Sequence, residues 1–257
     1  MGGTALVTGA SSGIGEVFAR RLSGLGFRLI LVARRKARLD RLASELRNAD
    51  VLAADLAIDS DLRKVEDRIA AESELEFLIN NAGFGVQGVF PETPRDMQDR
   101  MHRLHVIAIE RLTHAALRGM VKRRRGNIIN VSSVAGFFPT PFNVSYCATK
   151  AWITSFSEGL SMELQATRSP VRVQALCPGF THSEFHDVVK MDRSMIPSYM
   201  WMTAEEVVDT SLRRLKSNKP IVIPGWRYRL LVGFSRWIPR LLLHAGARRF
   251  AQSRIKG

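Results

Sequence analysis

Two side chains in the second half of the chain have the types and the spacing needed to transfer a proton. Tyr146 and Lys150 lie four residues apart, and residues with that spacing share one face of a helix, so the ammonium can lie beside the phenol. A free tyrosine has a pKa of about 10, and a neighbouring cation is expected to lower that pKa by stabilising the phenolate. Tyr146 is therefore predicted to be a general acid or base.

A hydroxyl group precedes this pair, at the end of a strand-like run. Ser133 can donate a hydrogen bond to a substrate oxygen on which negative charge develops. A Tyr-x-x-x-Lys spacing without other motifs is structural far more often than catalytic. The catalytic interpretation is preferred here because further motifs accompany it.

A glycine-rich turn, Thr8-Gly9-Ala10-Ser11-Ser12-Gly13-Ile14-Gly15, connects the first strand-like run to the first helical segment. Glycines allow backbone N–H groups to approach a pyrophosphate, and a helix N-terminus adds a partial positive charge. The alternative is a plain connection between a strand and a helix. The position of the turn favours dinucleotide binding.

Two arginines follow the second strand-like run. Enzymes that use NAD have an acidic residue there, which binds the ribose 2′-hydroxyl. Arg34 and Arg35 replace it, and guanidinium groups bind a 2′-phosphate that a carboxylate would repel. The sequence therefore predicts NADP(H), with ordinary solvated surface charges as the alternative.

The elements that must position these residues alternate regularly along the chain. Apolar, β-branched runs at 5–8, 28–33, 51–54, 77–80, 127–132, 171–177 and 220–223 predict seven strands. Helical periodicity occurs near 14–25, 36–47, 60–72, 96–122, 146–167 and 204–217. This pattern predicts an α/β fold: one Rossmann-type domain over residues 1–225, with a doubly wound, seven-stranded parallel sheet in a three-layer α/β/α arrangement. The motifs fall at the strand ends, where such folds bind ligands.

Composition bounds the class of protein. The 257 residues are 46% hydrophobic, which is enough for one large core. Two cysteines do not make a disulfide framework, and the first residues resemble no signal peptide, so a cytoplasmic protein is expected. Residues 210–257 carry 12 Lys or Arg and no acid, which leaves 26 basic against 24 acidic residues in the first 209. The excess positive charge therefore belongs to the C-terminal part.

Together these motifs resemble those of the short-chain dehydrogenase/reductase family, and the likeness extends from Thr4 to about Gly225. The resemblance implies an NADP(H)-preferring oxidoreductase with Ser133, Tyr146 and Lys150 as its catalytic residues, because the family's serine precedes its tyrosine by 13 residues. No metal ion is implied. The cofactor-binding residues that it implies, together with the two arginines, Tyr146 and Lys150, are Gly9, Ser11, Ser12, Gly13, Ile14, Gly15, Asp55, Leu56, Asn81, Ala82, Gly83, Pro178, Gly179, Thr181 and Ser183.

One position departs from the family pattern. His105 aligns where an asparagine usually completes a catalytic tetrad and holds a water that links the lysine to solvent. Imidazole does not reproduce both amide groups in the same geometry. Our hypothesis is that the relay survives through the backbone carbonyl of residue 105, and the alternative is a histidine with no role in proton transfer.

The segment 180–202 aligns with the region in which the family builds its substrate lid, and it is rich in methionine and aromatic residues. Such side chains suit a bulky, poorly polar ligand such as a lipid-like ketone, an acyl chain or a sterol. Core packing is the alternative. The predicted substrate-lining residues are Phe138, Phe142, Phe185, Met195 and Tyr199.

Residues 226–257 are predicted to form a basic, amphipathic C-terminal extension. Trp226, Leu230, Leu231 and Phe234 recur at helical spacing among arginines, a pattern typical of helices that bind anionic membranes. The alternative is a helix packed on the body or on another subunit. A homodimer or homotetramer is expected, since family members associate through helices that correspond to 96–122 and 146–167.

Two other classes of function are alternatives to an active enzyme. A catalytically weak NADP-binding sensor or scaffold is the main alternative, but such a protein is expected to lack the tyrosine or the lysine, and this chain retains both. The basic tail suggests nucleic-acid binding, yet it contains no nucleic-acid-binding motif, so no nucleic-acid partner is expected.

Overall fold

The structure is a computed structural model that describes residues 2–184 and 196–235. Seven parallel strands form one sheet in the order β3-β2-β1-β4-β5-β6-β7. The strands are β1 (Thr4–Thr8), β2 (Arg28–Ala33), β3 (Ala49–Ala53), β4 (Leu75–Asn80), β5 (Asn127–Val131), β6 (Arg172–Leu176) and β7 (Ile221–Val222). The predicted doubly wound, seven-stranded parallel sheet is confirmed.

Helices connect the strands and cover both faces of the sheet. In the described residues the α-helices are α1 (Gly13–Gly24), α2 (Lys36–Glu45), α3 (Asp59–Ala70), α4 (Arg95–His102), α5 (Ile109–Arg123), α6 (Val144–Ala166), α7 (Ala204–Leu215) and α8 (Trp226–Ser235). Short 3₁₀ helices occur at Phe90–Glu92, Val134–Phe137 and Ser198–Met200.

Two elements differ from the sequence prediction. The helix predicted over 96–122 is divided, because the π-helical segment Arg103–Ala108 separates α4 from α5. Such π-helical segments are rare and frequently occur at functional sites. The strand predicted over 220–223 is reduced to Ile221–Val222, since it lies between Pro220 and Pro224, which have no N–H group to donate to the ladder.

The core consists of two apolar layers, one on each face of the sheet. Neighbouring residues of a strand point to opposite faces, so Leu6 and Ile30 pack under α3 and α5, whereas Val7 and Leu31 pack under α1 and α7. All four side chains are fully buried. These layers fix the positions of the strand ends, and therefore of the loops that follow them.

Strand β1 lies between β2 and β4, so the order of the chain switches sides at this point of the sheet. The loops after β1 and β4 consequently leave in opposite directions and open a crevice at the carboxyl edge, where doubly wound folds bind ligands. Within the described residues, no helix combines the length and the apolar character needed to cross a bilayer.

Candidate active site

The glycine-rich turn has a backbone shape that requires glycine. Gly9 and Gly13 have φ angles of +65° and +58°. A Cβ atom on Gly15 would lie 2.3 Å from the carbonyl oxygen of Gly9, so the start of α1 packs directly against the end of β1. Gly13 and Ile14, the first residues of α1, line a cavity, whereas Gly15 supports the turn from beneath and is not part of the cavity wall. The positive end of α1 therefore faces the cavity.

The segment that follows β4 is fastened to this turn by hydrogen bonds. The backbone N–H of Asn81 donates to the hydroxyl of Thr8 at 2.9 Å, and that of Ala82 donates to the same hydroxyl at 3.1 Å. The side-chain amide of Asn81 donates to the carbonyls of Thr8 at 3.0 Å and of Gly9 at 3.2 Å. The two loops that open the crevice are thus held at a fixed separation.

A cavity of about 640 Å³ lies at the carboxyl edge of the sheet. This volume lies in the range of cofactor and ligand sites. Apart from Gly15, every residue predicted to bind the cofactor lines this cavity: Gly9, Ser11, Ser12, Gly13, Ile14, Arg34, Arg35, Asp55, Leu56, Asn81, Ala82, Gly83, Tyr146, Lys150, Pro178, Gly179, Thr181 and Ser183. The glycine cradle, the helix N-terminus and the size of the cavity fit a dinucleotide.

The two arginines that follow β2 lie at the end of the cavity near the glycine-rich turn. The guanidinium of Arg35 donates to the hydroxyls of Ser11 at 3.1 Å and Ser12 at 3.0 Å, and it forms an ion pair with Glu184 at 2.9 Å. Arg34 lines the same wall and forms no ion pair with any residue that the structure describes. This end therefore presents two guanidinium groups and two hydroxyls.

The predicted catalytic side chains meet on the wall of the same cavity. Tyr146 and Lys150 lie in the first two turns of α6, with the Lys150 Nζ atom 5.7 Å from the centre of the Tyr146 ring. Lys150 is buried and donates to the carbonyl of Val131 at 2.9 Å. Ser133 is hydrogen-bonded to Tyr146. The end of β5 and the start of α6 thus bring the three groups together.

The electrostatics of this group differ from the sequence expectation. Burial raises the pKa of the Tyr146 phenol, and the hydrogen bond from Ser133 only partly opposes that shift. The same burial lowers the pKa of Lys150 to about 8. The nearby ammonium alone predicts a lowered tyrosine pKa, but the cost of burying the phenolate charge dominates and raises it.

Neighbouring polar residues position α6 against the sheet. Ser132, which adjoins the predicted catalytic serine, donates to the carbonyl of Lys150 at 2.7 Å, so it anchors the helix that bears the lysine. Asn130 donates to Ser157 of α6 at 3.0 Å and accepts from Asn80 of β4 at 2.9 Å. These contacts join residues that are distant in the chain, so no local sequence pattern predicts them.

His105 lies in the π-helical segment and is fully buried. Its Nδ1 atom is 2.9 Å from the hydroxyl of Thr149, and that hydroxyl donates its one proton to the carbonyl of Tyr146. Nδ1 is therefore assigned as the protonated nitrogen, and Nε2, which faces Gly83, is a bare acceptor without a partner among the described residues. Burial first, and then the charge of Lys150, hold the pKa of His105 well below its usual range, so the imidazole is neutral.

The substrate end of the cavity corrects part of the prediction. Phe138 lines it, but Phe142 and Tyr199 do not. Phe142 has a φ of +67° in the turn before α6, where Thr140 and Asn143 form the wall instead. Tyr199 is exposed and lies against the guanidinium of Arg227. Phe185 and Met195 lie outside the described residues. Met200 of the predicted lid and Leu231 of the predicted C-terminal stripe line it as well. Wall residues for which the sequence predicts no role include Phe84, Gln87, Thr140, Asn143, Cys147 and Tyr228.

Helix α8 closes part of this end, and its attachment was not predicted. The hydroxyl of Tyr228 accepts from the N–H of Phe180 at 3.0 Å and donates to the carbonyl of Met200 at 2.5 Å. Its ring lies on Gly179, where a Cβ atom would overlap it. Glycine at 179 and a tyrosine 49 residues later therefore form one contact, which a local motif does not encode.

The two faces of α8 have opposite surroundings. Tyr228 and Val232 are 3% and 4% exposed, so this face packs on the body. Trp226, Leu230 and Phe234, in contrast, are 57%, 49% and 65% exposed. The predicted apolar stripe thus faces outward next to the cavity, while a different pair of residues attaches the helix.

Comparisons with known proteins agree with this geometry. The family model described as short chain dehydrogenase matches residues 3–194. The chain is 31% identical over 251 residues to a very-long-chain 3-oxoacyl-CoA reductase of Anas platyrhynchos, covering 90% of this chain and 76% of that protein.

Two solved structures are similar to it over most of their length. A short-chain dehydrogenase from Sphingobium yanoikuyae in complex with NADPH has a TM-score of 0.83 and 36% identity, covering 91% of this chain and 94% of that one. A bulky-bulky ketone specific alcohol dehydrogenase from Comamonas testosteroni has a TM-score of 0.79 and 35% identity, covering 91% and 92%.

Proposed function

The chain belongs to the short-chain dehydrogenase family, and we propose that it transfers a hydride between NADP(H) and a carbonyl or secondary alcohol of a bulky, hydrophobic substrate. It is an NAD(P)-dependent oxidoreductase acting on CH–OH groups. The observation that carries the proposal is the meeting of Ser133, Tyr146 and Lys150 on one wall of a cavity whose other end is the glycine-rich turn.

In the proposed mechanism the side chains donate the proton and stabilise the negative charge that develops on the substrate oxygen. The nicotinamide, when bound, supplies the hydride in reduction and accepts it in oxidation. Ser133 donates a hydrogen bond to the carbonyl oxygen, and Tyr146 donates its proton to that oxygen as the alcohol forms. The ammonium of Lys150 stabilises the phenolate left behind.

The surroundings of the tyrosine set the protonation states of the catalytic pair. Burial raises the pKa of Tyr146, so the phenol is protonated at neutral pH and ready to act as an acid. Lys150, with its pKa lowered to about 8, is still mostly protonated at pH 7. Oxidation starts from the phenolate and reduction ends in it, so the raised pKa acts on both directions. The direction of the reaction is set by the concentrations of the substrate, the product and the two cofactor forms.

NADP(H) is the proposed cofactor because of the charge at the adenosine end. Arg34 and Arg35 lie there with two serine hydroxyls, a set of donors that suits a 2′-phosphate. Among the solved relatives, the Sphingobium enzyme is in complex with NADPH. In the proposed site Asp55 faces the adenine, and the loop from Pro178 to Ser183 faces the nicotinamide.

The proposed fourth relay position is the backbone carbonyl of residue 105 rather than the imidazole. A neutral ring whose Nδ1 is occupied by Thr149 exchanges no proton with Lys150 near neutral pH. We therefore expect His105→Asn to leave kcat and its pH profile close to those of the unmodified chain. A large rise in kcat with unchanged NADPH affinity would instead identify His105 as a handicap to the relay.

The proposed substrate is a hydrophobic ketone, on the evidence of the cavity wall. Phe84, Phe138, Met200 and Leu231 contribute apolar surface near the catalytic end. The names of two relatives, a very-long-chain 3-oxoacyl-CoA reductase and a ketone-specific alcohol dehydrogenase, point to carbonyl substrates of this kind.

The test is a panel of hydrophobic ketones and alcohols of increasing size, followed at the nicotinamide absorbance with NADPH and with NADH. We expect turnover of bulky ketones with NADPH, and little with small charged ones. Tight NADPH binding without turnover of any panel member would favour the sensor or scaffold alternative. Activity restricted to NADH would overturn the cofactor assignment.

We also propose a homodimer or homotetramer formed through α5 and α6. Both helices carry exposed apolar side chains, Val121 on α5 and Met162 on α6. The expected outcome is an assembly in light scattering that Met162→Glu weakens while a charge placed on the exposed part of α2 does not. A monomer at all concentrations would contradict this arrangement.

The basic segment 226–257 is proposed as an extension that contacts anionic lipid from the cytoplasm. The exposed apolar stripe of α8, flanked by Arg227 and Arg229, supports the contact, and the two buried, free cysteines suit a reducing compartment. Replacing Trp226, Leu230 and Phe234 with serine should abolish flotation with vesicles containing phosphatidylserine. Flotation of neither protein would argue that the stripe meets another protein surface, and equal flotation of both would contradict the role of the stripe in lipid contact.

A further inference from the structure

The loop after the nicotinamide-facing segment is tied to the adenosine end of the cavity by one carboxylate. Glu184 pairs with Arg35 at 2.9 Å through one oxygen and with Arg38 at 2.5 Å through the other. Arg35 simultaneously donates to Ser11 and Ser12 of the glycine-rich turn. A continuous polar bridge therefore joins the turn after β1, the start of α2 and the loop after β6.

The carboxylate presents an arrangement similar to that of a phosphate. Each of its two oxygens accepts a hydrogen bond from a different guanidinium, as two oxygens of a phosphate group do. Glu184 also lines the cavity, on the same wall as Arg34 and Arg35. The arginines beside it hold the pKa of this carboxyl below its ordinary value, so it is ionised at neutral pH.

The ion pairs of this bridge are weak enough for another anion to replace the carboxylate. The side chains of Arg35, Arg38 and Glu184 are 44%, 49% and 43% exposed. Ion pairs this exposed are weak, because water and salt screen them. A 2′-phosphate carries a larger negative charge than a carboxylate and offers more acceptor oxygens, so it competes well for the same guanidinium groups.

We propose that Glu184 is a specificity-determining residue that occupies the 2′-phosphate position in the cofactor-free protein and yields Arg35 to the phosphate when NADP(H) binds. This inference rests on the proposed NADP(H) site. NADH has no 2′-phosphate, so it leaves the carboxylate bridge in place. Glu184 thus lowers the affinity for NADPH and couples the loop after β6 to the presence of the phosphate.

Calorimetric titrations with NADPH, NADH, 2′,5′-ADP and 5′-AMP test this role. In Glu184→Gln the charge is removed at nearly constant size, and we expect Kd for NADPH and 2′,5′-ADP to fall about threefold to tenfold, as the loss of a weak competing ion pair predicts. Kd for NADH and 5′-AMP should stay unchanged. The matched control is Glu74→Gln, an exposed acid directly before β4 at the opposite edge of the sheet, which should alter none of these values.

Several outcomes overturn the inference. An unchanged or weaker affinity of Glu184→Gln for NADPH would do so, and so would an equal change for NADPH and NADH. If the unmodified chain prefers NADPH and Arg35→Ala removes that preference, either of these Glu184→Gln outcomes overturns only the role of Glu184, and the proposed NADP(H) site stands. If neither the unmodified chain nor Arg35→Ala distinguishes NADPH from NADH, the proposed NADP(H) site fails and the role of Glu184 fails with it.

Discussion

The two ends of the cavity are built in different ways. At the adenosine end, the glycine-rich turn, Asn81 and Arg35 follow strands β1, β4 and β2 directly, and hydrogen bonds between these loops hold them together. At the substrate end the wall comes from several loops and from α8, a helix more than 40 residues beyond β6 in the chain. Strand ends are positioned by the sheet, whereas the substrate wall depends on contacts between distant segments. Variants at the two ends should therefore affect different constants.

The largest effect is expected where the two ends meet, at Tyr146, the proposed proton donor. Tyr146→Phe removes the proton donor and should lower kcat by a factor of about 10² to 10⁴, the usual contribution of general acid catalysis. NADPH affinity should stay nearly unchanged, because the phenol contributes little to the adenosine end. Steady-state rates and calorimetry measure the two quantities. Tyr199→Phe is the matched control, since Tyr199 lies outside the cavity wall; unchanged turnover in Tyr146→Phe would end the proposed mechanism.

The pH dependence of reduction should reveal the lysine. Because burial lowers the pKa of Lys150 to about 8, its ammonium is present below that pH and lost above it. The phenolate formed on Tyr146 then loses its stabilising charge, so kcat for reduction should fall about tenfold per pH unit above pH 8. The pKa of the phenol itself is raised, so it contributes no loss in that range.

Lys150→Arg provides the check on this assignment. An arginine keeps its proton at every accessible pH, so the decline above pH 8 should disappear even if the overall rate is lower. Persistence of the same decline in Lys150→Arg would show that another group titrates.

At the adenosine end, Arg35→Ala should weaken NADPH binding by a factor of about 10 to 100, the usual contribution of a hydrogen bond to a charged group. The Kd for NADH and kcat with saturating NADPH should change little. Arg41→Ala, which removes an exposed guanidinium on α2, is the control. A parallel loss for NADH would mean that Arg35 supports the fold of the turn rather than the phosphate.

The smallest effect is expected at the substrate end. Tyr228→Phe removes the hydroxyl that joins Phe180 to Met200 and should destabilise that contact by about 1 kcal/mol. The consequence should appear as a rise in KM of about fivefold for bulky ketones, with NADPH affinity unchanged. Weaker NADPH binding instead would show that α8 also supports the cofactor end, and the two ends would not be independent.

The contrast between the two ends also explains which of the predicted residues the structure brings to the cavity. The glycine-rich turn, Arg34, Arg35 and the Ser133, Tyr146, Lys150 set all lie on one cavity as expected, because each follows a strand or occupies one helix face. Phe142 is predicted on the substrate wall from its apolar character near the catalytic strand, and Tyr199 from the alignment of 180–202 with the family's lid, and both lie outside the wall. Apolar composition does not specify direction, since the backbone angle at Phe142 and the packing of Arg227 on Tyr199 depend on tertiary contacts.

Strand-to-helix order was sufficient for the fold class, and the glycine spacing and the four-residue separation of tyrosine and lysine were sufficient to place these residues on one cavity. These are local patterns. They can be predicted from the sequence because backbone sterics and helix periodicity act over a few neighbouring residues. The shift of the Tyr146 pKa, the neutral state of His105, the bridge through Glu184 and the attachment of α8 by Tyr228 were decided only by the tertiary structure. Each depends on burial or on a partner far away in the chain, and desolvation and long-range contacts exist only once the polypeptide has folded.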